Sequence, residues 1–63
     1  MNKKITISFR CYYPNGNTTD HKQKLTLSEI PKWIQCYQFT HPECEAITCK
    51  VWMKDIKEEE NND

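Results

Sequence analysis

Cys36, His41, Cys44 and Cys49 crowd the middle of the chain in the pattern C-x4-H-x2-C-x4-C. Four soft or borderline donors are the number that tetrahedral zinc requires. The spacing matches no standard zinc module, however, and two cysteines have a competing place. Cys49 alternates in phase with Ile47 and Val51, and Cys11 with Phe9 and Tyr13, so both read more readily as small core hydrophobes than as ligands. No cofactor is therefore expected, and a zinc-stabilised module held by Cys36, His41, Cys44 and Cys49 is the alternative. A disulfide between Cys11 and Cys49 would need an oxidising compartment.

His41 with Cys44 is the one conceivable nucleophile pair, and it lacks a third group to orient the imidazole. Ser8 and Ser28 have structural places, and the single glycine, Gly16, makes no phosphate-cradling loop. The chain thus reads as non-enzymatic, with no small-molecule substrate.

A second constellation is cationic and aromatic. Lys4, Arg10, Tyr12, Lys22, Lys24, Lys50, Trp52 and Lys54 fall on the polar phase of alternating segments, so they are expected to share one open sheet face. Nucleic-acid sheets use this mixture, because bases stack on aromatic rings while cations meet phosphates. The competing reading is a solvated sheet face with Tyr12 and Trp52 as a cross-strand pair, and the small positive excess favours it.

These groups must be positioned by three alternating segments and one helical one. From Lys4 to Tyr13, Ile5, Ile7, Phe9, Cys11 and Tyr13 take one face and polar groups the other, the period-two pattern of a half-buried strand. Pro14-Asn15-Gly16-Asn17 is a turn signal, and Thr18 to Asp20 are expected to widen it. A second strand is predicted from about His21 to Leu27, with Gln23, Leu25 and Leu27 inward. A third runs from Glu45 to Lys54, with Ile47, Cys49, Val51 and Met53 inward.

Between them, Leu27 to Tyr37 reads as the single helix. Ile30, Trp33, Ile34 and Tyr37 stand at the i, i+3, i+4, i+7 spacing of one buried stripe. Ser28 is the expected N-cap, Glu29 suits the positive end of the dipole, and Pro31 is tolerated in the first turn. Pro42 ends the helix. The favoured reading is that the last turn unwinds so that Phe39 tucks back; the alternative is a helix running to Thr40, with Phe39 opposite the Ile30 and Ile34 stripe, exposed near Trp52 as a protein contact surface. The prediction is an α+β domain over residues 1–54, a three-stranded antiparallel sheet in the order 2-1-3 with one helix on one face (ββαβ). Strand three beside strand two is the alternative.

The chain has 63 residues and no net charge, nine Lys and Arg against nine Asp and Glu. The charges are segregated. Residues 1–54 hold the bases Lys3, Lys4, Arg10, Lys22, Lys24, Lys32, Lys50 and Lys54 against Asp20, Glu29, Glu43 and Glu45. Residues 55–63 hold five acids and Lys57, which reads as a disordered acidic tail. A folded over-lay of that tail on the basic sheet is the other use for it. No apolar run approaches the ~20 residues of a membrane span, and alternation through Ile5 to Arg10 is unlike a secretory signal. A cytoplasmic location with no membrane partner is expected.

Asp20-His21, Leu25 to Ile34 (LTLSEIPKWI), Phe39-Thr40-His41-Pro42 and Lys50-Val51-Trp52 resemble small uncharacterised proteins carried on conjugative transposons and related mobile elements of Gram-positive gut bacteria. The resemblance covers most of the chain outside the tail. It implies a cytoplasmic accessory product, in a setting of DNA handling, host-defence interference or regulation, and transfers no site residue. The function expected is a protein-interaction module whose partner is a protein, including a second copy of itself. Short sheets expose edges that can pair. A nucleic-acid-binding module is the alternative.

Overall fold

In a computed structural model that describes residues 3–60, the chain folds as α+β. The order is β1 (Ile5–Tyr12), β2 (Thr18–Leu25), a 3-10 turn (Leu27–Glu29), α1 (Ile30–Thr40), β3 (Ala46–Val51) and α2 (Met53–Glu60). Side chains are described as far as Lys57. The sheet is antiparallel with the order β2-β1-β3, the expected arrangement, and β3 does not lie beside β2, the alternative topology.

β1 is central because it has the most regular apolar alternation. Ile5, Ile7, Phe9 and Cys11 are buried on the helix side, and Ile7, Phe9 and Cys11 lose all exposure. Leu25, Ile30, Trp33, Ile34, Ile47, Val51 and Ile56 pack against Ile5, Ile7 and Phe9 as a half-buried ring. The core is thin, as expected of a domain this short.

The β1–β2 hairpin is tighter than Thr18 to Asp20 suggest. Gly16 N–H donates to the Tyr13 carbonyl and Tyr13 N–H to the Asn17 carbonyl, both at 3.0 Å. Gly16 has φ +89°, a backbone angle costly for any residue with a Cβ. This is a three-residue loop closed by a left-handed glycine, so pairing resumes at once with Tyr12 opposite Thr18. β2 therefore begins at Thr18 and ends at Leu25, two residues short of the expected Leu27.

The chain after β2 turns early because Thr26, and not Ser28, caps the helical segment. Thr26 N–H donates to Glu29 Oε1 at 2.9 Å, and Glu29 N–H returns to the Thr26 carbonyl at 3.0 Å. Thr-x-x-Glu is a capping-box sequence. The backbone bond from Thr26, then its hydroxyl and Lys4 and Lys32 nearby, hold the Glu29 carboxyl below its ordinary value. Thr26 is consequently buried, and Leu27, expected inward, is 45% exposed.

α1 puts Ile30, Trp33, Ile34 and Tyr37 toward the sheet. Trp33 lies flat on Phe9, ring centroids 4.0 Å apart, and the stack continues through Tyr37 at 5.2 Å to His41 at 4.1 Å. These rings at i, i+4 and i+8 form a column along one side of the helix. His41 N–H donates to the Tyr37 carbonyl at 2.8 Å, so the helix stays wound to Thr40. Phe39 therefore points outward and is 88% exposed, which corrects the expectation that its ring tucks back.

β3 stops at Val51, three residues before Lys54. Asp55 N–H donates to the Trp52 carbonyl at 3.0 Å and opens α2. Lys and Glu favour a helix, and Ile56 gives it an apolar contact with the sheet. The stretch read as an acidic tail thus enters α2 through Glu60. The remainder of it, residues 61–63, lies outside the described residues. No helix among the described residues is long and apolar enough to cross a membrane.

Removing the Trp33 ring, Trp33→Ala, is expected to destabilise the fold by about 3 kcal/mol. Phe39→Ala is expected to stay within about 0.5 kcal/mol of the parent. Urea unfolding followed by circular dichroism checks both.

Candidate binding surfaces

The outer face of the sheet is built by register. Ser8 on β1 has Lys22 on one side and Lys50 on the other, and Thr6 has Lys24 opposite. Ser8, Arg10, Tyr12, Lys22, Thr48 and Lys50 line an open depression on this face. Five of the eight sequence-selected residues keep to this side of the domain: Tyr12, Lys22, Lys24, Lys50 and Arg10. The charge of Arg10 is already used. It stands opposite Asp20, its Nε–H donates to Asp20 Oδ1 at 2.8 Å, and its Nη2 reaches Oδ2 at 3.3 Å.

That forked pair raises the Arg10 value and holds the Asp20 carboxyl below its ordinary range, first through the hydrogen bond. Both side chains are more than half exposed, so the pair adds little stability. Its effect on the face is larger, since it removes one cation. Trp52 and Lys54 leave the sheet altogether, Trp52 just past β3 and Lys54 in α2. Lys4 precedes β1 and lines a separate hollow with Lys3, Lys24 and Asp55. What remains is Lys22 and Lys24 on β2 and Lys50 on β3, on either side of Ser8 and Thr6 of β1, with Tyr12 half-buried nearer the hairpin.

The two sheet edges differ. β2 carries Asp20, Lys22 and Lys24 among its eight residues, and charges of this kind discourage strand pairing. β3 reads Ala-Ile-Thr-Cys-Lys-Val, with Lys50 as its one charged residue. Its helix side is incompletely covered. Ile47 and Val51 are half-buried, and Cys49 between them is exposed, although all three stand opposite buried residues of β1. Cys49 is therefore on the predicted face and yet not in the core, because it lies on an edge strand: α1 is centred on β1 and reaches β3 only at its start, where Ile34 and Gln38 border Ala46 and Ile47. Trp33 contacts Phe9 on β1 and lies 6.0 Å from the His21 ring on β2. Period-two alternation reports which face a residue takes; it does not report whether a helix reaches it.

The cysteines are dispersed. Cys11 and Cys44 are buried, Cys36 and Cys49 exposed, and all four are free thiols. Burial pushes the Cys11 thiol up, and the neighbouring Cys44 thiol adds to this against hydrogen bonds from Tyr37 and Thr19. Cys44 Sγ donates to the Ala46 carbonyl at 3.4 Å. His41 closes the aromatic column, with Nδ1 2.9 Å from Thr40 Oγ1. Among the described residues no three His, Cys, Asp or Glu side chains gather as a cation site, so Cys36, His41, Cys44 and Cys49 are not brought together.

A polar cluster missed by motif reading finishes the aromatic column. Tyr37 OH bonds Tyr13 OH at 2.5 Å and Thr19 Oγ1 at 3.3 Å, and Thr19 Oγ1 also meets His21 Nε2 at 3.2 Å. His21 stands edge-on to the Tyr37 ring at 5.2 Å. The signal for it was the strand phase, which puts Tyr13 and His21 on the same side as Tyr37. Thr19 favours the Tyr37 phenolate, but the Tyr13 hydrogen bond, burial and Cys11 together push the phenol up to about 12. The cluster ties the hairpin tip to α1 and presents no nucleophile activated by a base.

Compared with models of known protein families, with curated proteins and with solved structures, the chain matches none.

The raised phenol gives an alkaline limit to stability. The fold favours neutral Tyr37, so its contribution is complete below the ordinary value of 10.0 and is lost as pH climbs through about 12. Stability measured by urea unfolding is expected to fall across that window, and Tyr37→Phe to fall less steeply.

Proposed function

We propose that the chain is a small non-enzymatic interaction module that receives an extended segment of a protein partner along the outer edge of β3. The observation that carries this reading is the contrast between the edges. β3 presents one charge and an apolar stripe of Ile47, Cys49 and Val51, whereas β2 is studded with charge. Adding a strand there satisfies backbone groups along the edge and covers the stripe at the same time. The exposed Trp52 and Met53 continue the apolar surface beyond the strand. The resemblance of the sequence to small proteins of conjugative elements supports a cytoplasmic accessory role.

A second reading is favoured by one observation of its own. Lys22 and Lys50 flank Ser8 across the three strands, which suits the phosphates of a nucleic acid. The Arg10–Asp20 pair subtracts from that charge, so the edge is the better-supported surface.

A photo-reactive benzophenone side chain placed at Cys49, and in a second variant at Lys22, separates the two in the cells from which the chain comes. Protein adducts from position 49 in excess of those from position 22 are expected. No protein adduct at position 49 overturns the edge reading, and nucleotide-containing adducts at position 22 establish the second one in its place.

A further inference from the structure

We infer that the occupant of the β3 edge is the β3 edge of a second copy, paired antiparallel and centred on Cys49. This rests on the edge reading and names its partner. An interface between identical chains across a two-fold axis must be self-complementary, and β3 is so about Cys49. In that register Ile47 lies opposite Val51 of the second copy, Thr48 opposite Lys50, and Cys49 opposite Cys49. Apolar side chains meet on the helix side, and hydroxyl meets ammonium on the outer side. Ala46, the smallest residue of the strand, comes beside Trp52, the large ring just past its end.

Neighbouring registers are worse on charge and pattern. Centring the pair on Lys50 sets two ammonium groups face to face, which is destabilising for directly opposed residues. Centring it on Thr48 puts Val51 opposite Glu45 and Ala46 opposite Lys50. Space on the helix side also permits the Cys49 register. α1 is centred on β1, where Trp33 lies on Phe9, and borders β3 only near Ala46 and Ile47, which leaves Cys49 exposed. Asp55 shares a hollow with Lys3, Lys4 and Lys24, so the first turn of α2 heads toward β1 and β2. Two copies thus form one six-stranded sheet with both α1 helices on the same side, and Ile47, Cys49 and Val51 become interior.

Sedimentation equilibrium of the full chain under reducing conditions tests the pairing, with two substitutions that report register. Thr48→Lys places like charge opposite Lys50 twice per dimer and is expected to raise the dimer Kd several-fold. Thr48→Asp places opposite charge there and is expected to lower it several-fold. Both are compared at matched thermal stability. Glutathione disulfide then traps the dimer: two Cys49 thiols are oxidised to one disulfide between copies, and one glutathione disulfide is reduced to two glutathione molecules. Cys49→Ser is expected to abolish the covalent dimer and Cys36→Ser to retain it. A monomer at every concentration overturns the second copy as occupant, while a different protein captured from position 49 would leave the edge reading standing. A dimer indifferent to both Thr48 substitutions, or linked through Cys36, overturns the register.

Discussion

The flat contact between Trp33 and Phe9, centroids 4.0 Å apart, seats α1 on the central strand of the sheet. β1 supplies the fully enclosed side chains Ile7, Phe9 and Cys11, but none of α1 is fully buried. The helix therefore depends on a few partly buried contacts: Ile30, Trp33 and Ile34 on the core and the Tyr37 ring beyond them. Tyr37 and His41 extend the stack, and the hydroxyls of Tyr13, Thr19 and Tyr37 fasten its far end to the hairpin. With the column centred on β1, both outer strands are only partly covered: Gln23 on β2 and Cys49 on β3 are exposed between half-buried neighbours.

The two outer strands are alike in being half-covered and differ in what they carry. The helix side of β3 holds Ile47, Cys49 and Val51, of which Cys49 is exposed, and its outer edge pairs with no strand of the described residues. The same edge bears only Lys50 to discourage pairing. The opposite edge, with Asp20, Lys22 and Lys24, is protected. On the outer face, Arg10 and Asp20 neutralise each other, so the cationic character that composition suggests is concentrated in lysines and is weaker than a count of bases implies.

Much of this architecture was legible in the residues. Alternation from Ile5 to Tyr13 marked the central strand, the Ile30, Trp33, Ile34, Tyr37 stripe marked the helix face, and the 2-1-3 sheet order followed. The departures occur where a local motif overrode the pattern. Thr26 and Glu29 form a capping box and end β2 early, although Thr26 also fits the strand alternation. Gly16 closes a tighter loop than the following threonines suggest. After Val51, Lys54 and Met53 continue the period-two phase, yet the helix-forming run that follows and the contact made by Ile56 convert the segment to α2. The exposure of Cys49 was beyond reach of periodicity, because it depends on where the helix lies; helical phase put Phe39 opposite the buried stripe, and what it left open was whether the last turn stays wound to Thr40.

One stacked aromatic contact seats α1 on β1. Nuclear Overhauser spectroscopy of the wild-type chain tests it most directly. Cross-peaks are expected from the Trp33 indole to the Phe9 ring and to His21, with ring protons of Phe9 and Tyr37 shifted upfield. A Trp33 indole that shows contacts to Ile47, Cys49 and Val51 in place of Phe9 and His21 would contradict it, since the helix would then cover β3.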